Sequence, residues 1–137
     1  MRYMFLIYTT ETEMAKSSPE EMQKVQAGHL SVMADTSRKG ILQGCDPLQS
    51  TATATTVRWR NGKAMTTDGP FAETKEQLAG YYILDCKDLD EAVQWAARIP
   101  TACGGDYGCV EIRPIREMSA RPSFPETVRD HAGVGNG

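Results

Sequence analysis

The sequence lacks the features that mark membrane-spanning and nucleic-acid-binding proteins. No run of apolar residues approaches the roughly 18 that a membrane-spanning helix requires. The 15 Lys and Arg residues are outnumbered by 18 Asp and Glu, which gives a net charge of −3. The basic residues are scattered along the chain instead of forming the stripe that nucleic-acid binders carry. We therefore expect neither a membrane nor a nucleic-acid partner.

Metal ligands and cofactor motifs are equally scarce. The chain has two histidines and four cysteines, none of them in a C-x-x-C pair: His29, His131, Cys45, Cys86, Cys103 and Cys109. This spacing argues against a zinc site and favours reduced thiols, some packed in a core, in a reducing compartment. Gly104-Gly105 with Asp106 and Gly108 lacks the G-x-G-x-x-G spacing of a phosphate-binding loop and is predicted to be a flexible loop. We expect no metal and no cofactor, since no flavin or haem motif is present.

The N-terminal residues 1–8 are apolar but do not resemble a secretion signal. They lack a small-residue cleavage site and the length of a signal peptide. Tyr3, Phe5 and Ile7 alternate with Met4, Leu6 and Tyr8, a pattern of apolar residues on both faces that is typical of a central β-strand. A cytoplasmic location is therefore predicted.

Several helix and hairpin ends are marked by residues suited to them. Ser18 can cap a helix, Pro19 fits its first position, and Glu21 completes a capping box. Gly40 suits the end of the same helix. Asn61-Gly62, between two β-prone runs, is the strongest short-range signal for a β-hairpin.

Apolar periodicity between these marks predicts the remaining elements of one domain over residues 1–116. In order, they are a strand over 2–8, a loop over 9–17, a helix over 18–40, a strand over 41–49, hairpin strands over 53–60 and 63–67, a polar connection over 72–79 that can hold a helical turn, a strand over 80–86, a helix with a capping box at Asp88 and Glu91 that is stopped by Pro100, and an edge strand over 107–115. Residues 117–137 are expected to form a C-terminal tail that is mobile unless a partner subunit orders it.

This order of elements predicts an α+β fold of the ferredoxin-like type. Two β-α-β units separated by an inserted hairpin fold into an antiparallel sheet with both helices on one face. Two helices cover only one face, yet the strands over 2–8 and 80–86 are apolar on both. The uncovered face needs a partner, and a second copy of the chain would form a homodimer.

One stretch of the sequence resembles a known family. The resemblance rests on residues 66–82 (TTDGPFAETKEQLAGYY), with support from residues 1–8, 18–22, 88–92, 95–96 and 110–115. Over residues 1–116 the chain resembles the YCII-related superfamily, in the branch named for its D-G-P-F motif. The resemblance implies a ferredoxin-like fold that dimerises into an α+β barrel. It also implies a catalytic histidine on the first helix together with an aspartate, and lyase-like or dehalogenating chemistry on small aromatic compounds in some members.

By position, His29 corresponds to that histidine and Asp68 to that aspartate. His29 lies in the apolar stripe of the first helix, where a carboxylate partner would make it a general base near neutral pH. The alternative is a buried histidine satisfied by one hydrogen bond. Asp68 in an Asp-Gly-Pro turn is alternatively a cap for nearby backbone amides.

Four further residues are candidates for contact with a small-molecule ligand. Arg58 can bind a carboxylate with two hydrogen bonds, and Lys75 can neutralise an anion. Phe71 is expected to anchor its turn. Tyr81 and Tyr82 alternate faces, so one packs under the helices, and the other, with Tyr82 as the candidate, offers a hydroxyl to a ligand. The alternatives that involve no ligand are solvent-facing positions for Arg58 and Lys75 and core packing for the tyrosines.

Three functions are compatible with these residues. The first is a cofactor-free acid–base enzyme, lyase-like or dehalogenase-like, that uses His29 and Asp68. The second is a non-catalytic module that binds or senses a small ligand in the same cavity. The third, which rests on the fold alone, is a dimeric barrel monooxygenase.

Overall fold

The computed structural model describes residues 1–101 and 107–119, and these form one four-stranded sheet, one two-stranded sheet, three α-helices and a short 3-10 helix over Thr51–Thr53. The strands are β1 (Arg2–Thr9), β2 (Leu42–Pro47), β3 (Thr55–Arg60), β4 (Lys63–Asp68), β5 (Gln77–Asp85) and β6 (Cys109–Pro114), and the helices are α1 (Glu11–Met14), α2 (Pro19–Arg38) and α3 (Leu89–Ala96). Cys103, the Gly104-Gly105-Asp106 loop, His131 and the tail beyond residue 119 lie outside the described residues. None of the described helices is both long and apolar enough to cross a membrane.

The four-stranded sheet has the order β2-β5-β1-β6, and all three neighbouring pairs are antiparallel. Counting only these four strands along the chain, the order is second, third, first, fourth, which is the ferredoxin-like arrangement. The predicted α+β fold is therefore confirmed. The C-terminal strand β6 lies at an edge, as the proline near its end predicts.

The core lies between one face of this sheet and the two long helices. Alternate residues of β1 are buried, so Tyr3, Phe5 and Ile7 face the helices. They pack with Tyr82 and Leu84 of β5 in a cluster that is completed by Val32, Cys86, Ala92, Trp95 and Ile99. The opposite face carries Met4 and Leu6, paired with Ile83 and Tyr81, and all four are partly exposed. The sheet thus has one covered and one uncovered apolar face within the chain.

The long helix α2 begins and ends as its sequence predicts. The Ser18 hydroxyl accepts a hydrogen bond from the Glu21 backbone N–H at 3.2 Å, and the Glu21 carboxylate accepts one from the Ser18 N–H at 3.3 Å. This reciprocal pair satisfies two donors at the helix start. At the other end, Gly40 adopts a φ of 71°, a conformation that glycine reaches without steric cost.

The hairpin of β3 and β4 forms a two-stranded sheet of its own. Asn61 and Gly62 have φ of 51° and 76°, as a type I′ turn requires, so the predicted hairpin is confirmed. Almost every residue of the two strands is exposed. Trp59 is 75% exposed and Val57 is 57% exposed, so the hairpin buries little apolar surface within the chain.

Two predicted connections differ from the structure. The predicted loop over 9–17 contains the helical turn α1, where the Glu11 carboxylate accepts hydrogen bonds from the N–H and hydroxyl of Thr51, each at 2.9 Å. A contact across 40 positions of sequence has no local signal. The helical turn allowed for residues 72–79 is also wrong, because β5 already begins at Gln77.

The capping box predicted at Asp88 and Glu91 is only half correct. The Asp88 carboxylate accepts the Glu91 N–H at 2.9 Å, as predicted. Glu91, however, accepts the N–H of Lys87 at 2.8 Å. The donor to Glu91 is therefore one residue nearer the N-terminus than a capping box requires, and the reciprocal bond from the Asp88 N–H is absent.

Candidate functional site

The candidate site is centred on the contact between His29 of α2 and Tyr82 of β5. His29 lies on the side of α2 that faces the sheet and is partly buried. Its Nδ1 is 2.8 Å from the Tyr82 hydroxyl oxygen. The two rings are stacked, with centroids 6.0 Å apart and planes inclined by 17°. Helix α2 and the inner strand β5 thus hold the imidazole in a defined orientation.

Cys45 lies beside the same hydroxyl group. In the β2–β5 ladder Cys45 is directly opposite Tyr82, so the register of the sheet brings the thiol to the phenol. Burial is the main cause that raises the pKa of Tyr82, and the neighbouring Cys45 raises it further. Burial also raises the pKa of Cys45. Both groups therefore keep their protons at neutral pH.

Pro100 contacts His29 from the other side, and Gly28 makes this approach possible. A Cβ atom at position 28 would lie only 3.0 Å from the Pro100 ring. Burial lowers the pKa of His29 below its ordinary value of 6.5, and a hydrogen bond to the Pro100 backbone acts in the opposite direction. The net lowering keeps the imidazole neutral at pH 7.

These contacts line up three groups that can exchange protons. A neutral imidazole has one N–H and one lone pair, and a carbonyl only accepts. In the tautomer whose N–H is directed to Pro100, the Nδ1 lone pair accepts the O–H of Tyr82, whose oxygen can accept from the Cys45 thiol. The site is therefore a short hydrogen-bonded chain, Cys45–Tyr82–His29. In the described ranges no three His, Cys, Asp or Glu side chains converge as metal ligands would.

Asp68, the predicted partner of His29, ends β4 on the exposed hairpin. It is opposite Thr55, and its side chain is solvent-exposed. No hydrogen bond or ion pair of the described residues joins it to His29. The turn that follows is held by backbone groups instead: the Gly69 N–H donates to the Ala54 carbonyl at 2.7 Å, and the Thr56 hydroxyl donates to the Gly69 carbonyl at 2.8 Å.

Three of the predicted ligand-contacting residues lie around this turn. The Arg58 guanidinium donates to the carbonyl of Phe71 at 3.3 Å, so it braces the turn. The Phe71 side chain is 76% exposed, so the expectation that it anchors the turn is wrong: its backbone does so. Lys75 is exposed in the connection to β5. Arg58 and Phe71 are thus brought together, away from the covered face of the sheet.

The two tyrosines point to opposite faces, as their alternation predicts. Tyr82 is 1% exposed and packs under the helices. Tyr81 lies on the uncovered face, where its hydroxyl donates to the Asp46 carboxylate at 2.7 Å and this bond raises its pKa. The tyrosine on the uncovered face is therefore Tyr81, and Tyr82 is the one that contacts His29.

Comparison with known proteins identifies the family of the chain. The model of the YCII-related domain matches residues 1–119. The chain belongs to the YCII-related family. It is also similar to the uncharacterized protein R00369 of Rhizobium meliloti (strain 1021), with 37% identity over 115 residues, which is 84% of this chain and 92% of that protein. The matched range includes every residue of the His29 site described above.

Sequence reasoning missed Cys45, Gly28 and Pro100 as parts of this YCII-related site. Cys45 could be found only from the register of β2 against β5, and no local feature of the sequence specifies that register. Gly28 did carry a signal, because a glycine in mid-helix costs stability and indicates a close approach by another segment. The sequence predicts Pro100 only as a helix stop, because its contact with His29 depends on tertiary packing.

Proposed function

We propose that this YCII-related chain is a cofactor-free acid–base protein that acts on a small organic molecule, with His29 as the proton acceptor. The observation that carries the proposal is the 2.8 Å contact between His29 Nδ1 and the Tyr82 hydroxyl. It orients the ring from a rigid strand, as a general base requires. The lyase-like or dehalogenating chemistry that the family resemblance implies needs such a group.

The electrostatics of the site support this role. A neutral imidazole has a lone pair to accept a proton, and burial keeps His29 neutral at pH 7. Because the Nδ1 lone pair accepts the Tyr82 O–H, a substrate proton would reach the ring by relay: Tyr82 gives its proton to Nδ1, and its oxygen takes the proton that leaves the substrate. The hydroxyl group thus supports both protonation states of the ring.

Asp68 and the residues of its turn belong to the same proposal as a second set of groups. The DGPF tetrapeptide supports membership of that branch, and the Asp68 carboxylate is proposed as a second orienting group for His29 besides Tyr82. Because no described hydrogen bond joins the two within one chain, their pairing requires a movement of the hairpin or a second protomer. Lys75 and Arg58 would then supply positive charge to a substrate anion.

A homodimer is part of the proposal. The uncovered sheet face carries Met4, Leu6, Tyr81 and Ile83, and the hairpin exposes Trp59. Apolar surface of this kind is usually covered in a stable protein. Packing two uncovered faces together would give the α+β barrel that the family resemblance implies. Light scattering that gives a monomer mass at high protein concentration would contradict it.

A non-catalytic, ligand-binding module is the second candidate function. It is favoured by the fact that both sides of the His29 ring already have partners within the chain, Tyr82 and Pro100. A satisfied ring needs no substrate. In that case His29 fixes the packing of α2 on the sheet and the ligand occupies the space between protomers.

Deuterium exchange distinguishes the two candidates without knowledge of the substrate. Small carbon acids, such as a 1,3-diketone and an unsaturated lactone, are incubated with the protein in D2O and followed by NMR. The enzyme proposal expects exchange above the buffer rate that is lost in His29→Asn and reduced in Tyr82→Phe. Tyr81→Phe, which removes a hydroxyl from the other face, is the matched control. Exchange equal in wild type and His29→Asn supports the binding module.

A further inference from the structure

A groove lies between α2 and α3, at the opposite end of α2 from its capping box. The groove has a volume of about 520 Å3. It is lined by Asp35, Arg38, Lys39, Gln94, Trp95 and Arg98. None of these residues takes part in the His29 site.

The groove carries an excess of positive charge. It contains three cationic side chains and one carboxylate, in a chain whose net charge is −3. Asp35 accepts hydrogen bonds from Arg38 Nη2 at 2.5 Å and from Arg98 Nη2 at 2.6 Å. The bond from Arg98 is the main cause that lowers the pKa of Asp35, so the carboxylate is ionised at neutral pH. The lining side chains thus have an excess of two positive charges, which the partial negative charge at the C-terminal ends of α2 and α3 offsets only in part.

Trp95 holds two of the cations in place. Its side chain is 7% exposed and forms the floor of the groove. The Arg98 guanidinium carbon is 5.1 Å from the ring centroid and the Lys39 ammonium nitrogen is 5.7 Å from it. Each cation is attracted to the ring, but the two repel each other, since both are bound to one aromatic group. An anion bound near both cations would reduce that repulsion.

Free hydrogen-bond donors point to the class of ligand. In the described part of the chain Arg98 makes both of its side-chain hydrogen bonds, to Ser31 and Asp35, through Nη2. Its Nη1 and Nε therefore stay available, and so does the ammonium group of Lys39. Asp35 fixes both guanidinium groups before any ligand arrives, which lowers the entropy cost of binding. Guanidinium forks match the oxygens of phosphate groups.

We propose that this groove binds a polyvalent oxyanion of the phosphate type, such as a phosphate ester. Arg38, Lys39 and Arg98 supply the charge, and Trp95 and Asp35 supply the geometry. The site is independent of the acid–base proposal for His29, and either can fail without the other.

Calorimetric titration of the full chain with inorganic pyrophosphate tests this proposal. Sodium chloride holds the ionic strength constant, so that general screening does not mimic binding. Arg98→Gln should weaken binding about tenfold or more, because it removes charge-assisted hydrogen bonds. Arg38→Gln, at a side chain that is 73% exposed, should weaken it without affecting the fold. Arg60→Gln on the hairpin removes the same charge elsewhere and should leave affinity unchanged.

Fluorescence gives a second readout of the same site. Trp59→Phe leaves Trp95 as the only tryptophan, because the chain has two. Saturable quenching by pyrophosphate that is lost in the Arg38→Gln background supports the proposal. It is overturned by an absence of saturable binding at constant ionic strength, or by an Arg60→Gln effect as large as that of Arg38→Gln. If Arg98→Gln fails to fold, the comparison of Arg38 with Arg60 decides alone.

Discussion

The covered face of the four-stranded sheet and the β3–β4 hairpin contrast in how much of their apolar surface the chain buries. Phe5 and Leu84 are 0% exposed on the covered face, whereas Trp59 on the hairpin is 75% exposed. Both regions have regular backbone hydrogen bonding, so the difference is in packing. An isolated two-stranded hairpin is marginally stable in water. The stability of the chain therefore lies in the sheet and its helices, and the hairpin contributes little to it within one chain.

Substitution in the core should have the largest effect on stability. Phe5→Ala removes a fully buried ring and leaves a cavity, so we expect a loss of about 3–5 kcal/mol in the free energy of unfolding. Urea denaturation at low protein concentration measures it. Trp59→Ala on the hairpin is the matched control, with an expected change within about 0.5 kcal/mol. Equal losses would contradict the contrast between the two regions.

Repeating these measurements at several protein concentrations extends the comparison between the core and the hairpin. If the hairpin or the uncovered face packs against a second copy, the effect of Trp59→Ala should grow with concentration, as mass action requires. The effect of Phe5→Ala should not change in that way.

Glycine substitutions separate close packing from backbone conformation. At Gly80 in β5 a Cβ would lie 2.8 Å from the Asp46 carbonyl oxygen of β2, so Gly80→Ala should cost about 1–3 kcal/mol by forcing the strands apart. At Gly62 in the hairpin turn nothing lies within 4 Å, and only the positive φ of 76° opposes a side chain. Gly62→Ala should cost about 1 kcal/mol. Thermal melting of both variants shows whether Gly80→Ala lowers the stability more than Gly62→Ala does.

Loss of the Tyr82 hydroxyl should affect stability more than loss of the Tyr81 hydroxyl. Tyr82→Phe leaves a buried Nδ1 of His29 without its partner, for an expected cost of about 1–2 kcal/mol. Tyr81→Phe breaks a bond to Asp46 on the partly exposed face and should cost less. Urea midpoints of the two variants, compared at equal m-values, test this order.

The pH dependence of stability should carry a small contribution from His29. Its pKa is lowered in the folded chain, so between the ordinary value of 6.5 and the lower folded value the unfolded chain binds a proton that the folded chain does not. The contribution is fully present above pH 6.5 and is lost as pH falls through that window. His29→Asn should flatten this part of the curve. An unchanged slope would place the titration in another group.

The sequence predicted those features that depend on local chemistry. Each of three such features is determined by a few neighbouring residues: the capping box at Ser18, the Asn61-Gly62 turn and the two-faced strand at residues 2–8. The position of His29 on the sheet-facing side of α2 followed from helical spacing in the same way.

Features set by tertiary contact could not be predicted. Which hydroxyl meets His29 depends on the register of β5, and the approach of Pro100 depends on how α3 returns to α2. The helical turn α1 is tied to Thr51 by Glu11, a contact with no local signal. The pairing of His29 with Asp68 stays a prediction, since it rests on the family resemblance alone.

An NMR pH titration of the His29 ring tests the central claim most directly. His131→Gln removes the other histidine, so that one imidazole signal remains. A ring held neutral by burial and bonded to Tyr82 should titrate below the ordinary value of 6.5, and its midpoint should change more in Tyr82→Phe than in Asp68→Asn, which removes the proposed second orienting group. A midpoint above 6.5 that falls in Asp68→Asn would contradict the account, because it would show that a carboxylate and not the Tyr82 hydroxyl governs the ring.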